Sequence, residues 1–290
     1  MARFANIRAV TFDAGGTLLE PWPSVGAVYA AVAAEHGWRD LSAAQLDVNF
    51  VSAWRANADF DYSTDAWRQI VEESFAGLVN RGAVHGFFDD LYARFAEPDC
   101  WRVYPDVRPA LDQLRRRGLR LAVISNWDLR LGPLLNRLGL ADYFDAVVIS
   151  AEVGATKPSA RIFEEAASRL RFGASEILHV GDAGLEDLNG ARAAGFAALR
   201  IDRRSISADQ STIPRLTDLA PKIASFAARC GSRYAPRDWS WRNKSRSFSI
   251  PSRGRFWPIG SSKARAPIAS RPINTATTAT NVTRRTAPPI

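Results

Sequence analysis

The residues from Ile7 to Leu19 read IRAVTFDAGGTLL, and this stretch decides how the rest of the chain is interpreted. Its first half is mostly apolar, which indicates a buried strand, and that strand ends at a single acid, Asp13. Two glycines follow, and glycine lets the backbone approach an anion closely. The stretch therefore predicts either an ordinary turn at the end of a strand or a carboxylate nucleophile beside an anion-binding loop.

The composition of the chain is that of a globular protein with room for one large domain or two modest ones. It has 290 residues, of which 47% are hydrophobic. Nowhere do 18 apolar residues follow one another, and the N-terminus runs into the first strand without the apolar segment of a signal peptide. The two cysteines, Cys100 and Cys230, have no metal-binding spacing. We therefore expect free thiols, a cytoplasmic protein and no membrane contact.

The positive charge of the chain is confined to one end. The net charge is +8, but residues 1–229 alone are mildly acidic, because residues 230–290 contain Asp238 as their single acid among many Arg and Lys. This end is rich in Ser, Thr, Pro and Arg without an apolar period, so we expect a disordered basic tail over 230–290. We expect a nucleic acid to bind, if at all, only through this tail. The oligomeric state does not follow from these patterns.

Helical periodicity dominates between residue 24 and about residue 100, and no strand is predicted there. The helical segments begin at Ser24, Ser42, Thr64 and Gly86. Gly37 is expected to end the first segment and Gly82 the third, because glycine favours the position just after a helix.

From Pro105 onward, helices alternate with apolar strands. The predicted strands are LRLAVIS, AVVIS, ILHVGD and AALRI, and residues 213–229 are expected to form a closing helix. Uninterrupted apolar strands between amphipathic helices predict an α/β fold, with a parallel sheet that helices cover on both faces.

Polar side chains follow four strands of this predicted sheet. They are Asp13, the pair Ser125 and Asn126, Lys157, and Asp182. Ligands bind beyond the carboxyl ends of the strands in an open parallel sheet, so we expect these groups to meet there. They suit a phosphoryl transfer in which Asp13 attacks, Ser125 and Lys157 contact the phosphoryl group, and Asp182 holds Mg²⁺.

Each of these residues also has a structural interpretation. Ser125 and its neighbour could cap the next helix, and the acids of GDAGLED could favour a helix start. His179, on a buried strand, fits a core histidine better than a base. Lys157 is harder to explain structurally, because it is the only Lys in the first 221 residues of a chain that otherwise uses Arg.

In combination, FDAGGTLL, VISNWD, TKPSARIF and HVGDAGLED resemble the four motifs of the haloacid dehalogenase superfamily, subfamily IA. Over about residues 4–225 the chain resembles, more narrowly, the haloacid dehalogenase-like hydrolase domain-containing protein 3 family. The resemblance implies a three-layer Rossmann-like core of residues 1–17 and 105–229, with residues 18–104 inserted as a helical C1 cap.

The same resemblance implies a phosphatase that acts on a small phosphorylated metabolite through an aspartyl-phosphate on Asp13, with Lys157 as a second catalytic residue. The residues it implies for the phosphate are Ala14, Gly15, Thr17, Ser125, Asn126 and Lys157. The residues it implies for Mg²⁺ are Asp13, Asp182, Asp187 and, through its backbone carbonyl, Gly15.

One position departs from the phosphatases of this superfamily, which carry an Asp two residues after the nucleophile as a general acid. Here that position is Gly15, which has no proton to donate. General acid catalysis contributes about 10²–10⁴-fold, so we expect slow turnover of alkyl phosphates and better turnover of acyl or aryl phosphates. Two alternatives stay open: a metal-independent dehalogenase, against which the retained Asp182 and Asp187 argue, and a weakly active relative that acts as a binding module.

Overall fold

The computed structural model of the protein describes residues 4–57, 60–205 and 211–223. The predicted basic tail and the last part of the predicted closing helix lie outside these residues. Among the helices that are described, none combines the length and the hydropathy that a membrane crossing requires.

The strands occur in two groups along the chain. In chain order they are β1 (Ala9–Phe12), β2 (Leu19–Pro21), β3 (Trp101–Val103), β4 (Arg120–Ser125), β5 (Ala146–Ile149), β6 (Ile177–Gly181), β7 (Ala197–Ile201) and β8 (Thr212–Ile213). Six of them pair in parallel in the order β5-β4-β1-β6-β7-β8. The sheet order places β1 between β4 and β6, and all four residues of β1 are buried.

The described α-helices cover this sheet or lie in the insert. They are α1 (Val25–Glu35), α2 (Ala43–Ala56), α3 (Thr64–Ser74), α4 (Arg81–Arg94), α5 (Val107–Arg116), α6 (Leu131–Arg137), α7 (Ser150–Val153), α8 (Ala160–Leu170) and α9 (Gly190–Ala193). The parallel sheet with flanking helices confirms the predicted α/β fold.

Two apolar clusters cover the two faces of the sheet. Val10 and Phe12 of β1 pack in one cluster with Leu111 of α5, and Ala9 packs in the other with Phe163 of α8. Successive residues of a strand face opposite sides, so this alternation separates the two layers of helices. The result is a three-layer arrangement in which β1 is covered on both faces, and this explains its mostly apolar sequence.

Helices α1 to α4 form an apolar cluster of their own, which includes the buried side chains of Tyr29 and Phe87. Ser24 and Ser42 cap α1 and α2, as predicted, and accept hydrogen bonds from the backbone N–H groups three residues later. Gly37 follows the end of α1 in the left-handed conformation, with φ +92°, also as predicted.

The predicted boundary between α3 and α4 is wrong. Helix α3 ends at Ser74, and Gly82 lies in the first turn of α4 rather than at the end of α3. Gly77 interrupts the helix in a left-handed conformation, with φ +76°. Asn80 then caps α4 through its side chain, so α4 begins several residues before the predicted start at Gly86.

Two short strands lie within the predicted helical insert 18–104, outside the stretch from residue 24 to about residue 100 in which no strand is predicted. Strands β2 and β3 form an antiparallel pair in which Leu19 lies opposite Val103. Each strand has three residues, which is too short for the alternation that reveals a strand in a sequence. The expectation of a purely helical insert is therefore corrected at both ends.

The predicted closing helix is wrong over the residues that the structure describes. Strand β8 and two short 3₁₀ turns, Leu216–Asp218 and Ala220–Lys222, stand in its place. Pro221 lies in the second of these turns, and proline cannot donate the backbone hydrogen bond that a continuous α-helix needs.

Candidate functional site

Asp13 lies just beyond the carboxyl end of β1, where its side chain is almost completely buried. Its backbone N–H donates to the carbonyl oxygen of Val180 on β6, which fixes the direction in which the chain leaves the sheet. Ser125, the last residue of β4, donates from its Oγ to Asp13 Oδ1 at 3.0 Å. The strand order therefore brings the first two predicted site residues into direct contact.

Lys157 comes from the loop after α7 and reaches the same carboxylate. Its Nζ lies 2.6 Å from Asp13 Oδ1 and 2.6 Å from Asp187 Oδ1, and its side chain is buried. Asn126 fixes the backbone of this lysine from both sides: its Oδ1 accepts from Lys157 N at 2.6 Å, and its Nδ2 donates to Lys157 O at 3.1 Å. Asn126 thus positions Lys157, and neither Ser125 nor Asn126 caps the following helix α6.

The charges of this cluster depend on one another. Burial raises the pKa of Asp13 to about 6, against the opposing effect of Lys157, and the carboxylates of Asp187 and Asp182 contribute to the increase. Burial alone would lower the pKa of Lys157, but Asp13 and Asp187 outweigh it and raise that pKa. Burial would likewise raise the pKa of Asp187, but Lys157 and His179 hold it well below its usual range. Lys157 therefore stays protonated and Asp187 ionised.

A buried hydrogen-bond chain behind Asp187 is the part of the site that sequence reasoning missed. His179 is fully buried, as expected for a core histidine, but its Nε2 lies 3.0 Å from Asp187 Oδ1 and its Nδ1 lies 2.9 Å from Thr11 Oγ1. The backbone N–H of Ala183 donates to Asp187 Oδ2 at 2.9 Å. A signal was present, since Thr11 and His179 are polar residues at paired positions of two buried strands.

Three carboxylates of the site could share a cation. One oxygen from each of Asp13, Asp182 and Asp187 lies within 4.8 Å of the others. Asp182 is exposed at the opening of the site, and partial burial and the neighbouring Asp187 carboxylate raise its pKa. Among the described side chains, both donors to Asp13 bind Oδ1, which leaves Oδ2 available. This set of hard oxygen donors fits Mg²⁺.

The loop after Asp13 depends on glycine for its contact with the acids. Gly16 has φ +73°, and a Cβ atom there would lie 2.5 Å from Asp182 Oδ2. Gly15 has more space, because its Cβ would lie 3.4 Å from Cζ3 of Trp127, an ordinary contact distance. Position 15 therefore has room for a Cβ atom, whereas position 16 does not.

The predicted phosphate-binding residues divide into two groups. Gly15, Ser125, Asn126 and Lys157 line one cavity together with Asp13. Ala14 and Thr17 are fully buried and do not line that cavity, and the hydroxyl of Thr17 has no hydrogen-bond partner in the described part of the chain. The turn at Gly16 separates Thr17 from the cavity, so only the backbone of these two residues remains for the predicted role.

The cavity has a volume of about 470 Å³ and two contrasting sides. We call the polar side the rim; it consists of Asp13, Ser125, Lys157, Asp182 and Asp187. We call the other side the aromatic wall; its residues are Phe50, Trp54, Tyr62, Trp67, Trp101 and Trp127. The rings of the wall form two contacting groups: Trp54 and Trp67, with centroids 5.7 Å apart, belong to one group, and Trp101 and Trp127, with centroids 5.0 Å apart, form the other.

Comparisons with known proteins agree with this fold. The family model described as a haloacid dehalogenase-like hydrolase matches residues 7–195. The human haloacid dehalogenase-like hydrolase domain-containing protein 3 is 35% identical over 233 residues, which cover 77% of this chain and 90% of the human protein. A phosphoglycolate phosphatase of Yersinia pseudotuberculosis is 31% identical over 196 residues, covering 67% of this chain and 81% of that protein. The crystal structure of a HAD phosphatase from Thermococcus onnurineus aligns with a TM-score of 0.55 and 28% identity, covering 73% of this chain and 96% of that one.

Proposed function

Since the chain belongs to the haloacid dehalogenase-like hydrolases, we propose that this hydrolase is a Mg²⁺-dependent phosphatase of a small phosphorylated metabolite. The observation that carries the proposal is the contact of one carboxylate, Asp13, with both a hydroxyl and a buried ammonium at 3.0 and 2.6 Å. Similarity to proteins named as phosphatases supports the same reaction class.

In the proposed reaction, an oxygen of Asp13 attacks the phosphorus atom, and the bond from phosphorus to the leaving-group oxygen breaks. The product of this step is an aspartyl-phosphate. Ser125 and Lys157 hold the phosphoryl oxygens and offset their negative charge. Because Gly15 donates no proton, the leaving group departs as an oxyanion. A water molecule then attacks the same phosphorus, which releases inorganic phosphate and restores the carboxylate of Asp13.

Asp13, Asp182 and Asp187, with the backbone carbonyl of Gly15, would hold Mg²⁺ in this site. When bound, the ion would neutralise charge on the phosphoryl group and orient it. Asp187 is held in place for this role, because Lys157, His179 and the Ala183 N–H all bind its carboxylate. We also propose that residues 18–104 act as a cap over a core of residues 1–17 and 105–229.

The test is the hydrolysis of acetyl phosphate and p-nitrophenyl phosphate with Mg²⁺ and after its removal by EDTA. We expect turnover that requires Mg²⁺ and that falls by about 10³-fold or more in Asp13→Asn, because the amide cannot act as the nucleophile. The matched control is Asp89→Asn, which makes the same change at an exposed carboxylate and should leave activity unchanged.

Two results would contradict this proposal. Absence of turnover of both substrates, together with absence of Mg²⁺ binding by calorimetry, would favour a binding module. Chloride release from 2-chloropropionate in EDTA, with neither phosphate hydrolysed, would favour a dehalogenase.

A further inference from the structure

We propose that the substrate is an aryl phosphate, that is, a phosphate ester of an uncharged aromatic alcohol. This inference rests on the proposed function and names the group that the phosphate carries. Three independent features of the cavity carry it: the rings of the aromatic wall, the pairing of its cations, and the missing acid at Gly15.

The aromatic wall offers flat surfaces for a ring beyond the phosphate. Phe50 and Trp54 stack with their ring centroids 6.1 Å apart, and Trp54 in turn stacks with Trp67. Trp127 extends this surface to the rim, because its ring lies where a Cβ atom at position 15 would touch it. An aromatic group bound between these rings would gain apolar burial and ring contacts, whereas a short polar group would leave the wall unused.

The cavity provides no unpaired cation for a second anionic group, as far as the described residues show. Two cations line it, and Lys157 is bound to two carboxylates. The other, Arg130, donates from Nε and Nη2 to the two oxygens of Asp128 at 2.8 and 2.6 Å. Its guanidinium also packs 3.5 Å above the centre of the Tyr92 ring.

A substrate with a second charged group would therefore meet an unfavourable environment. A carboxylate buried without a partner cation loses its hydration and gains little in return. Acids at the opening, Asp182 and Glu186, would add repulsion. The cavity thus favours an uncharged group on the phosphate and disfavours a substrate such as phosphoglycolate.

The missing proton donor at position 15 also favours aryl phosphates. Without a general acid, the leaving group must carry its own negative charge, and an aryl oxide spreads that charge into its ring while an alkoxide cannot. Trp127 is the neighbour of Gly15. Position 15, where other phosphatases of the superfamily carry the proton donor, therefore lies beside the Trp127 ring, which can pack against an aromatic leaving group.

The experiment compares phosphates that differ in one feature at a time. We would measure kcat and KM with Mg²⁺ for phenyl, 1-naphthyl and 4-carboxyphenyl phosphate. Acetyl phosphate, which has no aromatic group, would measure the hydrolysis that does not depend on the aromatic wall. We expect KM for 1-naphthyl phosphate to be about tenfold below that for phenyl phosphate, because four more ring carbons contact the wall. We expect kcat/KM for the carboxylated ester to be about tenfold lower than for phenyl phosphate.

A variant of the aromatic wall tests the location. Trp67→Ala should abolish the preference for 1-naphthyl phosphate, so that KM for the 1-naphthyl and phenyl esters becomes equal, in a variant that circular dichroism shows to be folded. The matched control is Trp22→Ala, which removes an exposed tryptophan outside the cavity lining and should keep the preference. A preference that survives Trp67→Ala, or that Trp22→Ala abolishes as well, would contradict the proposal.

A binding measurement separates this inference from the proposed function. We would titrate Asp13→Asn with 1-naphthyl phosphate and with inorganic phosphate by calorimetry, since this variant does not turn the ester over. A Kd at least tenfold lower for the ester supports the inference, and equal Kd values overturn it even if acetyl phosphate is hydrolysed. If the wild type turns over no phosphate but 1-naphthyl phosphate still binds more tightly than inorganic phosphate, only the proposed function is overturned.

Discussion

The two sides of the cavity are built in different ways. Four of the five rim residues lie at or just beyond the end of a strand or in a loop that specific hydrogen bonds fix, as in the bonds between Asn126 and the backbone of Lys157. The fifth, Asp187, lies in the helical turn Gly184–Asn189 after β6. The aromatic wall comes largely from helices α2 and α3 and from the residues between and beyond them, where ring packing sets the positions. Strand order thus places the polar groups, whereas helix packing shapes the apolar space beside them.

The largest effect on stability is expected at Lys157. Lys157→Met leaves Asp13 and Asp187 buried without their cation, and removal of one partner of a buried ion pair costs about 3–5 kcal/mol. We expect a decrease of that size in the free energy of unfolding, measured by urea denaturation, together with loss of activity.

The control for this prediction is Arg94→Met, which breaks an exposed ion pair with Asp99 at 2.7 Å. Exposed pairs contribute about 0–1 kcal/mol, so this variant should unfold almost like the wild type. Equal decreases in the free energy of unfolding of Lys157→Met and Arg94→Met would contradict the prediction, because the buried ion pairs of Lys157 would then contribute no more than an exposed pair.

A smaller effect is expected at Gly15, which adjoins both sides of the cavity. Gly15→Asp introduces a possible proton donor at a position that tolerates a Cβ, so turnover of an alkyl phosphate should rise by about 10²-fold. Turnover of p-nitrophenyl phosphate should change little, because its leaving group needs no proton. Steady-state kinetics on both substrates measures the difference.

Gly15→Ala is the matched control, since it adds the Cβ atom without the acid. It should leave both rates near those of the wild type. If Gly15→Asp raises neither rate while the protein stays folded by circular dichroism, then the missing acid does not limit the reaction.

Most residues of the rim could be predicted from the sequence, because they lie at or near the ends of strands that the sequence reveals. A parallel sheet brings the ends of its strands to one edge, so an acid after β1 and a hydroxyl at the end of β4 are neighbours once the strands are recognised. The single lysine before residue 222 pointed to the same edge. The hydrogen bond from His179 to Asp187 was missed, because the polar pair Thr11 and His179 marks a polar position in the sheet but does not identify the acid that binds there.

The features that could not be predicted depend on contacts between segments that are far apart in the sequence. Thr17 follows the glycines of the first motif, but the turn at Gly16 places it in the core rather than on the cavity. The periodicity of α3 continued past its end, because the apolar residues after Ser74 are buried without being helical. Which tryptophans face the cavity follows from how α2 and α3 pack, and hydrophobic periodicity does not contain that information.

The most direct test of the proposed reaction is to trap the aspartyl-phosphate on Asp13. Acid quenching during turnover of p-nitrophenyl phosphate with Mg²⁺, followed by borohydride reduction and peptide mass spectrometry, converts an aspartyl-phosphate into homoserine. We predict homoserine at position 13 in the wild type and none when EDTA is present. Turnover without any modification of Asp13, or with homoserine at another aspartate, would contradict the account.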